Sequence, residues 1–265
     1  MGPSGGYADR MEIVTWNVNS VRARLERVLE FLDARKPDVV CLQETKVLDE
    51  LFPLEPIEEL GYSVAMYGQK TYNGVAVLSK HGMEDIRMGF PGDGPEEAKR
   101  AIGVTIGDWM ILNLYVVNGK EVGDEKYAYK LAWLERLAEY VRAEYPMSEK
   151  VVLTGDFNIT FDDRDVYDPE AWREKILCST PEREALAKVM EPGLKDAFRT
   201  FHEEAGVYTW WDFRTRGYQR GNGLRIDHFL LSEPALAKAQ DVWVDTEFRE
   251  GNKPSDHAPV FLKVH

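Results

Sequence analysis

The chain has 265 residues, 44 % hydrophobic and 11 % aromatic, enough apolar surface to bury a sizeable core, which excludes disorder as a description of the whole. Its formal charge of −13 excludes a protein that coats nucleic acid by bulk electrostatics, because phosphate neutralisation needs Lys and Arg in excess. A local basic surface on an acidic body is still open.

Residues 1–10, opening Met-Gly-Pro-Ser-Gly-Gly, are featureless and are set apart as a tag remnant or disordered extension. Patterning begins at Met11, and no repeat, low-complexity tract or linker interrupts 11–265, so that segment is expected to form a single domain. A first strand is read at 12–16. A helix follows, capped by Ser20, with Val21, Leu25, Val28, Leu29 and Leu32 on one face and Pro37 beyond its end. Strands are then expected at 39–42, 63–66, 75–79, 102–105 and 110–115. Asp124 caps a second helix, in which Tyr127, Leu131, Leu134, Leu137 and Val141 form a stripe that stops before Pro146. The remainder reads as strands at 151–154, 208–211, 226–231, 242–245 and 258–264.

Many short strands with few long helices predict two packed sheets with helices outside, an α/β layered sandwich. The first strand has no Gly-rich phosphate loop after it, which argues against a doubly wound parallel sheet. Cys41 lies within the apolar run Val39-Val40-Cys41-Leu42 and Cys178 is far away, so a buried thiol is expected rather than a disulfide framework. With no signal-peptide pattern and no apolar run of spanning length, a cytoplasmic chain without membrane contact is expected.

Polar residues gather at the predicted strand ends, where loops on a rigid sheet commonly mount chemistry. The carboxylates of Glu44, Asp156, Asp227 and Asp256 and the amides of Asn17 and Asn158 are hard oxygen ligands suited to Mg2+. His257 and Tyr115 could polarise phosphate oxygens, and the set suits metal-assisted phosphodiester hydrolysis. Alone, Asp156 would more often be a turn or cap residue, while His257 could equally be a surface partner of Asp256 and Tyr115 could be a core aromatic with its hydroxyl at the rim. Glu44 has the stronger case, because a carboxylate straight after a buried strand costs free energy unless a cation or donor meets it. The recurrence of such positions along one chain favours a site. The segment from Thr209 to Arg220 interleaves aromatics with arginines, which can press rings on unstacked nucleotides and clamp phosphates, or can be ordinary strand and loop.

The segments Trp16-Asn17-Val18-Asn19-Ser20-Val21-Arg22-Ala23, Cys41-Leu42-Gln43-Glu44-Thr45-Lys46, Tyr72-Asn73-Gly74-Val75-Ala76, Asn113-Leu114-Tyr115-Val116-Val117-Asn118, Gly155-Asp156-Phe157-Asn158, Gly223-Leu224-Arg225-Ile226-Asp227 and Ser255-Asp256-His257 follow one another in a known order. In this the chain resembles the exonuclease III-type AP endonucleases of the endonuclease/exonuclease/phosphatase superfamily. The resemblance implies a four-layer α/β/β/α sandwich of two mixed β-sheets. It also implies hydrolysis of double-stranded DNA 5′ to abasic sites or at blocked 3′ ends, with 3′–5′ exonuclease and phosphatase activity, by a monomer using Mg2+ with Mn2+ as a substitute.

By the same resemblance, Glu44 and Asn17 form the principal metal site, with Asn19 and Asp256 near it. Asp156, helped by Asn158, orients or deprotonates the attacking water, with Tyr115 as the alternative base or a phosphate contact. Asp227 and His257 form a hydrogen-bonded pair whose imidazole meets the scissile phosphate. Asp156 and His257 are expected at the rim rather than in the core. Trp210, Leu224 and Ile226 line an apolar pocket for the flipped baseless sugar, and Lys46, Tyr72, Asn118, Arg22 and Arg214 contact the backbone. Asn19 stands where some relatives have aspartate and Leu224 where some have tryptophan, so metal affinity at the first and closure of the pocket at the second stay open. The rival readings are a superfamily phosphodiesterase or phosphatase acting on a soluble or lipid phosphoester, and a catalytically dead DNA-binding module.

Overall fold

The run Val39-Val40-Cys41-Leu42 is apolar at every position, which a strand tolerates when both of its faces are covered. In the computed structural model, which describes residues 10–265, Val39 and Cys41 face a second sheet while Val40 and Leu42 face a helix layer. The strands are β1 (Met11–Asn17), β2 (Val39–Gln43), β3 (Ser63–Tyr67), β4 (Val75–Ser79), β5 (Glu84–Met88), β6 (Ala101–Ile106), β7 (Trp109–Tyr115) and β8 (Lys150–Asp156). They continue as β9 (Lys195–Asp196), β10 (Trp210–Trp211), β11 (Gly223–Leu224), β12 (Asp227–Leu231), β13 (Ala239–Val244) and β14 (Val260–Val264).

Two six-stranded mixed sheets result, ordered β13-β14-β1-β2-β4-β3 and β5-β6-β7-β8-β12-β9, with a small β10-β11 ribbon beside them. Ile13, Cys41 and Val77 of the first sheet pack on Ile102, Ile111 and Val152 of the second. Phe31 and Leu32 of helix Leu25–Arg35 cover Trp16, Val40 and Leu78 on the outside of the first sheet. Leu134 and Leu137 of helix Glu125–Glu144, with Leu186 of helix Thr180–Met190, cover Leu112, Leu114 and Leu153 on the outside of the second. The expected four-layer α/β/β/α sandwich is therefore present. Cys41 is a buried free thiol, as expected, and so is Cys178. No helix among the described residues is long and apolar enough to cross a membrane.

Every expected strand has a counterpart, and β5, β9 and β11 are additional. The sequence Glu84-Asp85-Ile86-Arg87-Met88 is largely exposed on a sheet edge, so burial imposes little alternation on it. Asp124 caps its helix as expected, accepting from the Lys126 N–H. Ser20 does not cap the first helix: its Oγ accepts from Ala23 N–H at 3.3 Å, closing a turn, and the helix starts at Leu25. Arg24, at φ −119° and ψ 21°, is not helical, so the turn that begins at Val21 does not run on into the helix. Helix Thr180–Met190 is additional to the two expected helices, and its start carries a local signal: Ser179 and Glu182 form a capping box with Pro181 in the first turn. Residues 1–9 lie outside the described structure. Arg10, the last residue of the expected extension, is exposed and donates to His265 Nδ1 at 3.1 Å.

Parallel neighbours decide where the site forms. β1 pairs parallel with β2 and β7 parallel with β8, and each pair needs a crossover, supplied by helices Leu25–Arg35 and Glu125–Glu144. The strands of each pair thus exit at the same end, at Asn17 and Gln43 in one sheet and at Tyr115 and Asp156 in the other. β12 runs antiparallel to β8 and opens at that end, with Asp227 opposite Asp156. β14 runs antiparallel to β1, so the Ser255-Asp256-His257 segment before it arrives there too.

Gly155 lets β8 reach that end without a break. Its φ is +142°, and a Cβ there would lie 1.9 Å from the Leu114 carbonyl oxygen on β7. Gly155→Ala should cost about 3 kcal/mol or more of stability through overpacking and backbone strain. Urea unfolding of the two proteins checks this, and an unchanged midpoint would refute the close approach.

Candidate active site

One amide ties the two sheets at this end. Asn17 Nδ2 donates to Glu44 Oε1 at 2.8 Å and to Asp156 Oδ2 at 2.9 Å, so carboxylates following β2 and ending β8 meet on a residue of β1. Asn17 Oδ1 accepts from Asn19 N–H at 3.0 Å, and Ser255 Oγ donates to the Asn17 carbonyl at 2.6 Å. Glu44 stands in left-handed backbone, φ 51°, which turns it off β2 toward the partner sheet. Lys46 Nζ lies 2.8 Å from Glu44 Oε2 and 2.6 Å from Asn19 Oδ1. Asn19 Nδ2 in turn donates to Asp256 Oδ1 at 3.0 Å, and Trp210 Nε1 to Asp256 Oδ2 at 3.1 Å.

Beside this group, His257 Nδ1 donates to Asp227 Oδ2 at 2.8 Å, and its Nε2 lies 3.6 Å from Asp156 Oδ2. Asn158 follows with φ 50°, its N–H donating to Asp156 Oδ1 at 2.9 Å and its Oδ1 accepting from Asn118 Nδ2 at 3.1 Å. The rim expectation is corrected here: Asp156 is 1 % and His257 3 % exposed, because both sheets and the loops beyond them close over the strand ends.

Burial gives these groups unusual proton affinities. Desolvation pushes the Asp156 carboxyl up to about 7, although the cationic His257 beside it pulls the other way. For His257 desolvation opposes protonation, but the Asp227 and Asp156 carboxylates outweigh it and push the imidazole up to about 10. Burial, then the charges of Glu44 and Asp156, raise the Tyr115 phenol well above its usual value, so it stays protonated. Asp256 goes the other way: burial opposes ionisation, but His257, Trp210 and Asn19 together hold it below the usual carboxylate range.

A cleft of about 310 Å³ opens from Glu44 and Tyr115. Lys46, Tyr72 and Asn118 line it as the sequence suggested, and Arg100, Lys120 and Lys126 join them unannounced. Arg100 Cζ lies 4.7 Å from the centre of the Tyr115 ring. Nothing local marks Arg100, since only the pairing of β6 with β7 sets it beside Tyr115. Arg22 lines a separate recess with Arg24, Arg27 and Lys253, and Arg214 sits on the exposed turn after β10. Trp210, Leu224 and Ile226 share one apolar cluster with Val166, Leu177 and Cys178. Within it Leu224 and Ile226 are 0 % and 1 % exposed, so their side chains are covered rather than open to a ligand.

The donor set fits a hard divalent cation. Glu44 and Asp156 converge on one neutral amide, and Asp227 Oδ1 is buried without a hydrogen-bond partner. Asp156, Asp227 and His257 also come close enough, within 4.8 Å, to grip one ion. That triad is better matched to a hydrogen-bonded ion pair, because His257 would first have to give up a proton that two carboxylates hold. Asn17 would serve as a ligand through Oδ1, the atom that here accepts from Asn19.

The His257 pairing has a sign that can be checked. Its folded value lies above the ordinary 6.5, so the stability it contributes is fully present below that pH and is lost as pH rises through about 10. In metal-free protein, Asp227→Asn should lower the imidazole value by about 1–3 pH units. The His257 ring-proton shift, followed by NMR against pH, reads this, and an unmoved titration would refute the pairing.

A family model described as "Endonuclease/Exonuclease/phosphatase family" matches residues 14–257. The exodeoxyribonuclease III of Haemophilus influenzae is 35 % identical over 96 % of this chain and 99 % of its own. The solved structure of a 3′–5′ exonuclease from Neisseria meningitidis superposes with a TM-score of 0.93 at 42 % identity, covering 96 % of this chain and 99 % of that one. An AP endonuclease structure from Archaeoglobus fulgidus gives a TM-score of 0.91 at 36 % identity, over 95 % and 98 % of the two chains. With the motifs in family order and the strand-end site assembled, the chain belongs to the endonuclease/exonuclease/phosphatase family, on its exonuclease III-type branch.

Proposed function

We propose that this chain is a magnesium-dependent DNA-repair hydrolase that cuts the phosphodiester backbone of double-stranded DNA 5′ to abasic sites, as base excision requires. The same site would act on blocked 3′ ends as a 3′–5′ exonuclease and 3′-phosphodiesterase or phosphatase. The observation that carries the reading is the meeting of Glu44 and Asp156, from different sheets, on Asn17, with the Asp227–His257 pair alongside. The names of its relatives, an exodeoxyribonuclease III, a 3′–5′ exonuclease and an AP endonuclease, support it. We read residues 11–265 as one catalytic unit working as a cytoplasmic monomer.

In this reading Asp156 is the base. Its proton affinity near neutrality suits taking a proton from water, and Asn158 N–H fixes the carboxylate for it. Tyr115, which keeps its proton, donates to a phosphate oxygen instead of acting as the base. His257, a cation aligned by Asp227, faces the developing negative charge. Bound by Glu44 and Asn17 with Asn19 and Asp256 beside them, Mg2+, or Mn2+ in its place, would supply Lewis-acid neutralisation of the phosphate. Lys46, Tyr72 and Asn118 in the cleft, with Arg22 and Arg214 further out, would hold backbone phosphates. Trp210, Leu224 and Ile226 would accept the baseless sugar, which reaches the last two only if the residues covering them yield.

A duplex carrying one tetrahydrofuran abasic analogue should be incised on its 5′ side with Mg2+ and left intact with chelator. Intact duplex in Mg2+ with folded protein would overturn the reading. Asp156→Ala should lower turnover by roughly 10²–10⁴-fold. Glu44→Ala should shift the Mg2+ titration to higher concentration, and an unmoved titration would remove Glu44 from the metal site.

A further inference from the structure

We propose that Lys130, on the inner face of helix Glu125–Glu144, is a positioning residue that fixes the two loops carrying Asn118 and Asn158 beneath the active site. The inference rests on the site reading above and adds to it a group that touches neither substrate nor metal.

Lys130 occupies the buried stripe of its helix, one turn after Tyr127 and one before Leu134, yet it carries an ammonium and is 0 % exposed. Packing alone would favour an apolar side chain there, since a buried charge is costly unless paired and fully hydrogen-bonded. Its three N–H groups are matched: Nζ donates to the Asn158 carbonyl at 2.7 Å, to the Asn118 carbonyl at 3.1 Å and to the Glu182 carboxylate. Glu182 is itself held by Leu177 N–H at 3.1 Å, Ser179 N–H at 3.1 Å and Ser179 Oγ at 2.6 Å. The anchor is thus tied into a capped helix.

What the ammonium holds is informative. The two carbonyls belong to the loops leaving the parallel strands β7 and β8, and both dipoles point at one spot, where they would repel without a cation between them. Asn158 sits in left-handed backbone, and its N–H holds Asp156 while its side chain meets Asn118. A shift of its carbonyl would therefore move the proposed base and the phosphate contact together. Gly119 makes room for the arrangement: at φ +91°, a Cβ there would come within 3.1 Å of Lys130 Cδ and 2.9 Å of Ile176 Cδ1.

The test is steady-state kinetics on the tetrahydrofuran duplex with Mg2+, for wild type, Lys130→Met and Asn158→Ala, each assayed well below its own unfolding midpoint. Lys130→Met should lower kcat by roughly 10–100-fold, as loss of groups supporting a site's contacting residues does, while KM stays within about threefold. If Lys130→Met does not fold, the double variant Lys130→Met/Glu182→Gln, which leaves no unpaired buried carboxylate, is measured by the same criterion. A folded variant with kcat within about twofold of wild type would show Lys130 to be structural only and overturn the proposal. Should Asn158→Ala also leave kcat unchanged, the reading of the site itself fails, which separates the two ideas.

Discussion

The site depends on holding two sheets in one register, and buried amides do this. Gln43 Nε2, at the end of β2, donates to Asn113 Oδ1 on β7 at 2.7 Å and to Thr15 Oγ1 at 2.9 Å. Asn113 Nδ2 returns to the carbonyls of Leu42 and Ala76, both at 2.9 Å. Apolar contact between two sheets is non-directional and would tolerate a slide, whereas these bonds break if one sheet shifts. Directly above them Asn17 joins Glu44 to Asp156. Without that register the carboxylates of one sheet would not face those of the other, and neither set alone makes the site.

A second polar network supports the far side of β12. Arg225, 1 % exposed, is bidentate to Asp165 at 2.8 and 3.0 Å and reaches Asp196 at 2.6 Å. It also meets His228 Nδ1 at 3.1 Å, while His228 Nε2 faces the Ile159 carbonyl at 2.7 Å. Burial first, then the Arg225 charge, lower His228 to about 4, so this imidazole stays neutral. The neighbouring Asp227, pointing to the opposite face of the strand, holds a histidine that stays charged. Two histidines near one strand thus take opposite protonation states because one faces an arginine and the other carboxylates.

The acidity of the whole and the basicity of the cleft are compatible. Much of the negative charge near the centre is concealed: Asp156 and Asp227 are buried, and Lys46 lies against Glu44. Arg100, Lys120 and Lys126 line the cleft itself, and Arg22, Arg24, Arg27 and Lys253 line a separate recess. A polyanion meets these local fields within a Debye length, while the net −13 acts as diffuse background. Bulk charge therefore separates coating proteins from others and says little about a hydrolase that engages a few phosphates.

The layers and motif order were legible in the sequence because each follows from local patterning. Doubly apolar runs at Val39–Leu42 and the stripe from Tyr127 to Val141 announce covered sheets and covering helices, and oxygen-bearing residues after strands announce the site. The paired roles of Asp227 with His257 and of Glu44 with Asn17 came from family resemblance, since no spacing brings residues 30 or 27 positions apart into contact. What tertiary structure alone decided were contacts between elements distant in sequence. The burial of Asp156 and His257, the place of Arg100 over Tyr115, the covering of Leu224 and Ile226, and the seat of Lys130 under two loops are of this kind. The physical reason is that sequence periodicity reports which face of an element is buried, while proton affinity, charge pairing and access depend on which other element that face meets.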